Sequence, residues 1–289
     1  MTEKARILDG KAIAQKVRDE VRSEVTALAQ KGIRPGLAVV LVGDDPASQV
    51  YVRNKGRACH EVGITVFDHH LPTQTTKADL LALILRLNAD PAVHGILLQL
   101  PIPATLPTSE ILDSIEPQKD VDGLLEANVG RLWLSRPRFV PCTPLGVMRI
   151  LAEAGTKLAG ARALVVGRSI LVGRPMAALL LAADASVTIC HSKSLDLFDR
   201  VAESDVVVAA IGKPQAIPGR FIKPGATVID VGINRTEAGQ LVGDVEFSVA
   251  VERASAITPV PGGVGPLTIA MLLSNTVLAA KLRHGLVTA

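Results

Sequence analysis

Ser48, Tyr51 and Lys55 stand three and four residues apart, the spacing that brings side chains onto one face of an α-helix. A lysine so placed can take up or release a proton, and a phenol ring can stack on a flat ligand. Tyr51 is the only tyrosine in the chain. Taken singly, it reads equally well as a core or surface residue, and Lys55 as a solvated side chain. Gln99 lies at the end of the apolar run Gly95–Leu100, ahead of Pro101. Its amide either caps a strand or points into the same crevice as Lys55 and orients the amine. Lys119-Asp120-Val121-Asp122-Gly123 carries two carboxylates two residues apart, although Asp-Gly is also ordinary turn chemistry.

Two glycine-rich segments suggest close approach of backbone to ligand. The first, Gly167-Arg168-Ser169-Ile170-Leu171-Val172-Gly173-Arg174-Pro175, follows the apolar run Ala163–Val166. Gly167 would let the chain turn tightly beneath a pyrophosphate, Gly173 would admit a helix, and Pro175 presets helical φ. Free N–H groups at that helix start would form an anion site. The spacing is not GxGxxG, and a plain strand-to-helix turn reads the same way. The next apolar run ends Cys190-His191-Ser192-Lys193-Ser194. No carboxylate stands there, where an NAD site commonly places one about 20 residues on. Arg168, Ser192 and Lys193 suit a 2′-phosphate instead, which favours NADP over NAD; Lys193 alone also reads as a solvated loop residue. The second segment, Thr258–Pro266, suits a close backbone approach or a stiff connector.

These residues need elements to hold them. Ile13, Val17, Val21, Val25 and Leu28 mark an amphipathic helix over 10–30. Leu37–Val42, Ile64–Phe67 and Gly95–Leu100 read as strands, with helices at 44–61 and 80–87 between them. Ser135–Pro144, with three prolines, reads as a crossing between domains. A helix at 145–154 follows, then strands at 163–166, 187–190, 206–211, 226–231 and 256–258, with helices at 175–183 and 195–202. The apolar helix 267–282 is expected to pack back on the first domain. The fold class is therefore α/β with parallel sheets: an N-terminal substrate domain (1–141, with 267–289 returning to it) and a Rossmann-like nucleotide domain (142–266).

Composition agrees. Apolar residues make up 48% but aromatics only 2%, so the cores must be aliphatic, as in helices packed on parallel sheets. A net charge of +3 gives no case for nucleic acid, and the aromatics needed for stacking on bases are missing. Cys59, Cys142 and Cys190 fit neither a disulfide framework nor a metal-ligand pattern. MTEKARILDGK lacks the layout of a signal peptide, and no unbroken apolar run reaches the ~18 residues of a membrane span. A cytoplasmic protein is expected.

Ser48–Lys55 (SQVYVRNK), Gly95–Pro101 (GILLQLP), Asp120–Gly123 (DVDG), Pro141–Pro144 (PCTP), Gly167–Pro175 (GRSILVGRP) and Pro261–Thr268 (PGGVGPLT) stand in this order along nearly the whole chain. Together they resemble the bifunctional methylenetetrahydrofolate dehydrogenase/methenyltetrahydrofolate cyclohydrolase family. Leu267, where that family often has methionine, is a volume-conserving departure. The resemblance implies NADP-dependent oxidation of 5,10-methylenetetrahydrofolate and hydrolysis of the methenyl product to 10-formyltetrahydrofolate. It implies that Tyr51 stacks on the folate, Lys55 is catalytic, Gln99 positions Lys55 and Asp122 bonds the pterin. Ser48 and the backbone of Pro261, Gly262, Gly263 and Val264 would complete a folate cleft facing the nucleotide domain. Gly167, Arg168, Ser169, Ser192 and Ile233 would contact NADP, and the protein would be a homodimer through the nucleotide domain.

Two other readings compete: another NADP dehydrogenase on similar domains, acting on shikimate or a related hydroxy compound, and a catalytically silent nucleotide sensor. YVxxK and PGGVGP argue against the first, and Lys55 standing in its whole motif against the second. The cofactor reading carries its own test. Arg168→Ala should raise the KM for NADP far more than that for NAD, by roughly 1.5–3 kcal/mol of lost charge-assisted bonding; equal losses would refute a 2′-phosphate contact.

Overall fold

The computed structural model describes residues 4–288. The first three residues of the MTEKARILDGK segment and the last residue of the returning C-terminal stretch lie outside them. From the N-terminus run β1 (Arg6–Ile7), α1 (Gly10–Ala29), β2 (Gly36–Val42), α2 (Pro46–Val62), β3 (Thr65–Leu71), α3 (Lys77–Ala89), β4 (Gly95–Leu98), α4 (Thr108–Asp113), α5 (Glu126–Trp133) and α6 (Cys142–Ala154). There follow β5 (Arg162–Val166), α7 (Gly173–Ala182), β6 (Ser186–Cys190), α8 (Leu197–Glu203), β7 (Val206–Ala209), β8 (Thr227–Asp230), β9 (Asn234–Arg235), β10 (Leu241–Val242), α9 (Phe247–Ala250), β11 (Ala256–Ile257) and α10 (Gly265–Arg283).

The chain divides into two compact units, one of residues up to Gln15 with Pro141–Thr268, the other of Lys16–Val140 with Ile269–Ala289. The second unit holds a parallel sheet in the order β3-β2-β4. Every residue of β2 is buried, so its side chains are apolar on both faces, as in a strand covered by helices on each side. Ala38, Val40 and Val42 pack with Leu80 and Ile84 of α3 and Ile96 and Leu98 of β4. Ile111 of α4 joins this core. Helices of six and eight residues, α4 and α5, are too short to show a period in the sequence and were not anticipated. Trp133, the last residue of α5, is half exposed. The Asn275 side chain of α10 donates to Val121 O (2.8 Å) and Val140 O (3.0 Å), which ties the C-terminal helix into this unit.

The other unit holds a six-stranded sheet, β1-β11-β8-β7-β5-β6, parallel throughout. Leu164, Val166, Val207, Ala209, Val228 and Ile257 form part of its core. Here the structure corrects the boundary drawn at residue 1. β1 pairs with β11, Arg6 N donates to Ser255 O (2.9 Å) and Leu8 N to Ile257 O (2.9 Å), so the N-terminal segment belongs with the six-stranded sheet. Main-chain bonds hold it, and two residues with exposed side chains leave no alternation to read. The break between units falls at Val140/Pro141 and again at Thr268/Ile269. Helix α6 starts at Cys142, earlier than expected, because proline is tolerated in a first helical turn. By length and composition α10 could cross a membrane, which polar Thr268, Ser274, Asn275 and Thr276 hid from a search for unbroken runs. Its Ala270, Leu272, Leu273, Val277 and Ala280 are buried in protein.

One buried group ahead of β4 gives the fold an acid-sensitive point. His94 is 4% exposed, and its Nδ1 accepts from Gly36 N at 3.1 Å. Burial, aided by Arg283 and His284, pushes its pKa from 6.5 down to about 4. The folded protein keeps this ring neutral, whereas the unfolded chain protonates it first. Its contribution is therefore present above about pH 6.5 and is lost as pH falls toward 4. His94→Asn, whose amide oxygen can take the same N–H, should remove roughly 2–3 kcal/mol of that acid loss. Thermal melts across this range check it; parallel curves for variant and parent would assign the loss to other groups.

Candidate active site

Helix α2 leaves the carboxyl end of β2, the edge where open α/β sheets bind ligands. Asp45 starts it: its Oδ2 accepts from Ser48 N at 2.8 Å, which holds the Asp45 carboxyl below its ordinary pKa. Pro46 occupies the first turn, and Gly63 closes the helix in the left-handed conformation at φ 85°. Two turns in, Lys55 Nζ donates to Gln99 Oε1 at 2.9 Å, and Gln99 Nε2 donates to Leu100 O at 2.6 Å. The glutamine is thus fixed by its own backbone and presents its oxygen to the amine. Tyr51, one turn earlier, is half exposed. Ser48 is placed differently from its helical partners: it is 3% exposed, buried at the capped first turn. Cys59 on the same helix is buried, and burial pushes its thiol up to about 12.

The two carboxylates of Asp120-Val121-Asp122-Gly123 stand in different surroundings. Asp120 is buried, and its carboxylate accepts from Leu124 N (3.2 Å), Leu125 N (2.9 Å) and Asn128 Nδ2 (2.8 Å). Ile96 of β4 donates to Lys119 O at 2.8 Å, so the loop lies along the strand that Gln99 follows. Lys119 is itself buried, its ammonium donating to Leu87 O (2.7 Å) and Asp90 O (2.8 Å). Asp122 is half-buried, while Gly123 makes the turn at φ 69°. Lys55, Gln99, Tyr51 and Asp122 therefore all belong to the three-stranded unit.

In the six-stranded unit, β5 is followed by β6 on one side and β7 on the other, a topological switch point. A cavity of about 520 Å³ opens there, lined by Gly167, Arg168, Ser169, Ser192, Ile211 and Lys213 among others. At Gly167 φ is 126°, and a Cβ would stand 2.2 Å from Ala210 O, so no other residue fits. The free helix N-terminus expected here is not free. Ser169 Oγ accepts from Val172 N (3.1 Å) and Gly173 N (3.3 Å), a cap that a short loop serine makes readily. Lys193 is exposed and does not line the cavity; its backbone N–H is bonded to His191 Nδ1.

Ile233 is not in that cavity. It lines a smaller one of about 230 Å³ with Lys11, Asp230 and the Pro259–Pro266 segment, which includes Pro261, Gly262, Gly263 and Val264. Gly10 abuts this loop so closely that a Cβ would overlap Gly263 O, and the Lys11 stem lies beside Gly262. Sequence reasoning passed over Gly10 and Lys11, although a glycine opening a helix is the signal of such an approach. Leu100–Pro101 and Val260–Pro261 are cis peptides.

Comparison with known proteins agrees with this arrangement. Residues 8–122 match the catalytic domain, and residues 141–284 the NAD(P)-binding domain, of tetrahydrofolate dehydrogenase/cyclohydrolase. The chain is 58% identical to a bifunctional protein FolD from Geotalea uraniireducens, over 96% of this chain and all of that one. Identity is 60% with FolD 2 from Geobacter metallireducens, over 95% and 96% of the two chains. Among solved structures, the bifunctional FolD methylenetetrahydrofolate dehydrogenase/cyclohydrolase of Campylobacter jejuni superposes with a TM-score of 0.95 at 49% identity, covering 96% and 99%. The Trypanosoma brucei enzyme, complexed with NADP cofactor and inhibitor, gives 0.93 at 42%, covering 98% and 99%. Spanning both domains and nearly the full length of these relatives, the chain belongs to the tetrahydrofolate dehydrogenase/cyclohydrolase family.

Proposed function

We propose that this protein oxidises 5,10-methylenetetrahydrofolate with NADP and hydrolyses the resulting methenyl compound to 10-formyltetrahydrofolate, with Lys55 as the proton-handling group. The observation that carries the role of Lys55 is its hydrogen bond to Gln99, whose neutral oxygen orients the amine without adding a counter-charge. The cavity at the β5–β7 switch point suits NADP. Gly167 clears the backbone for a pyrophosphate, Ser192 lies just beyond β6 where no carboxylate would repel a 2′-phosphate, and Arg168 supplies a cation. When bound, NADP accepts the hydride. Ile233, in the smaller cavity, would meet a part of the cofactor that the larger one does not enclose.

The methylene carbon lies between two nitrogens whose lone pairs expel the hydride, so this first step needs orientation more than a base. Tyr51 would supply it by stacking on the folate, Asp122 by a hydrogen bond to the pterin, and Ser48 and the Pro261–Val264 backbone by further contacts. Hydrolysis asks more. Water adds to the methenyl carbon and sheds a proton as its C–O bond forms, and the Lys55 amine takes that proton. The same amine returns it to the ring nitrogen whose bond to that carbon then breaks. Loss of the remaining hydroxyl proton to solvent leaves the formyl group. A homodimer through the nucleotide unit accords with the open edge strand β6, which carries exposed Ile189, and with exposed Leu181 on α7. A cytoplasmic setting, without nucleic-acid or membrane partners, completes the reading.

Lys55→Met keeps length and apolar stem but removes the amine. It should abolish methenyl hydrolysis, by ~10²–10⁴-fold, while measurable NADPH production continues. Following methenyl absorbance and then NADPH formation on one preparation checks this; equal losses would make Lys55 a positioning group for both steps, and no loss would make it a solvated bystander. Tyr51→Phe should keep most folate affinity, and Tyr51→Ala should lose more, since a stacked ring contributes ~1 kcal/mol beyond its buried area. Equal impairment in substrate titrations would transfer the role from ring to hydroxyl.

A further inference from the structure

Two interlocked carboxylates in the six-stranded unit, Asp230 at the smaller cavity and Asp244, carry no role assigned so far. Asp230, the last residue of β8, is 3% exposed. Its Oδ1 accepts from Gly232 N (3.0 Å) and Asp244 N (2.9 Å), and its Oδ2 from Val245 N (2.8 Å). Asp244 is wholly buried. Its Oδ2 accepts from Ile211 N (2.7 Å) and Gly212 N (3.0 Å), and its Oδ1 from Lys213 N (2.9 Å) and Asn234 Nδ2 (2.9 Å). The glycines between them leave no room for a side chain. A Cβ on Gly243 would stand 1.9 Å from Asp230 Oδ2, and one on Gly232 2.2 Å from Asp244 Oδ1. No lysine or arginine pairs with either carboxylate among the described residues.

Three successive N–H groups converging on one point form an anion-binding nest, and here the protein fills it with its own carboxylate. The strap so gripped, Ile211–Lys213, contributes Ile211 and Lys213 to the 520 Å³ cavity. We infer that Asp244 is a positioning residue for NADP. Its charge sets the shape of the Ile211–Lys213 wall and the place from which Lys213 reaches the cavity, and Asp230 clamps Asp244 through its backbone N–H. Because the nest is occupied, the phosphates must be met by Arg168, Ser169, Ser192 and Lys213 rather than by the strap's main chain. The inference rests on assigning NADP to this cavity.

Methenyl hydrolysis uses no NADP, so the protein contains its own control. Asp244→Ala and Asp244→Asn, as full-length proteins, are compared for NADP KM in the dehydrogenase reaction and for kcat of methenyl hydrolysis without cofactor. Loss of several charge-assisted hydrogen bonds should raise NADP KM about tenfold in the alanine variant. The asparagine variant, which keeps one acceptor oxygen, should show a smaller rise, and the hydrolytic kcat should hold in both. If alanine prevents folding, the asparagine variant alone carries the comparison. An unchanged NADP KM, or two activities falling together with KM constant, overturns the inference. Arg168→Ala separates the two layers: if it weakens NADP and the Asp244 variants do not, only the positioning role fails. If none of them weakens NADP, the cavity assignment fails with it.

Discussion

Asp120, Asp230 and Asp244 keep their carboxyl groups out of water by gathering N–H donors around them. A carboxylate stripped of water is costly unless such donors replace the lost hydration. At Asp120 and Asp230 burial still raises the carboxyl above its ordinary value, for Asp230 up to about 6. What the protein gains is loop geometry. Asp230 and Asp244 pin main chain just beyond strands and Asp120 pins the turn into α5; Lys213 is itself pinned, and Ile233 and Asp122 stand one and two residues from a pinned point. In Asp120-Val121-Asp122 the first acid is consumed in holding the loop, while the second is only half-buried.

Parallel sheets make this arrangement economical. All strands of one such sheet end on one edge of it, so the loops after β2 and β4 share an edge of the three-stranded sheet, and those after β5, β6, β7 and β8 share an edge of the six-stranded one. Those edges were legible in the sequence because β2, β5 and β8 are largely buried aliphatic runs closed by glycine or a polar residue, and β7 leads through Ala210 and Ile211 to Gly212. β1 and the short hairpin of β9 and β10 were not legible. Two-residue strands are made by main-chain pairing and leave no pattern of side chains.

At the sites, what could be read was residue type at helical spacing: Lys55 with Tyr51, and Gln99 as a polar end to an apolar strand. Whether Gln99 bonds Lys55 or merely caps its strand depends on the reach of two side chains across adjacent elements, which spacing along the chain does not encode. The engaged hydroxyl of Ser169 and the buried state of Ser48 escaped for a similar reason. A serine in a loop or first turn reads the same whether it faces a ligand or its own backbone. Asp230 and Asp244 carried even less signal, because an aspartate near glycine ordinarily marks a turn.

The single tryptophan is Trp133, half exposed at the end of α5, and the single tyrosine is the half-exposed Tyr51. Neither ring lies in an aliphatic core. Intrinsic emission from this protein is therefore a surface signal: an indole already in contact with water changes its surroundings little when the cores come apart. Far-ultraviolet dichroism or heat capacity will follow loss of the sheets far better than tryptophan wavelength does. The phenol is the reverse case, because a folate stacked on Tyr51 would be its nearest quencher, and the chain holds no second tyrosine to blur the reading.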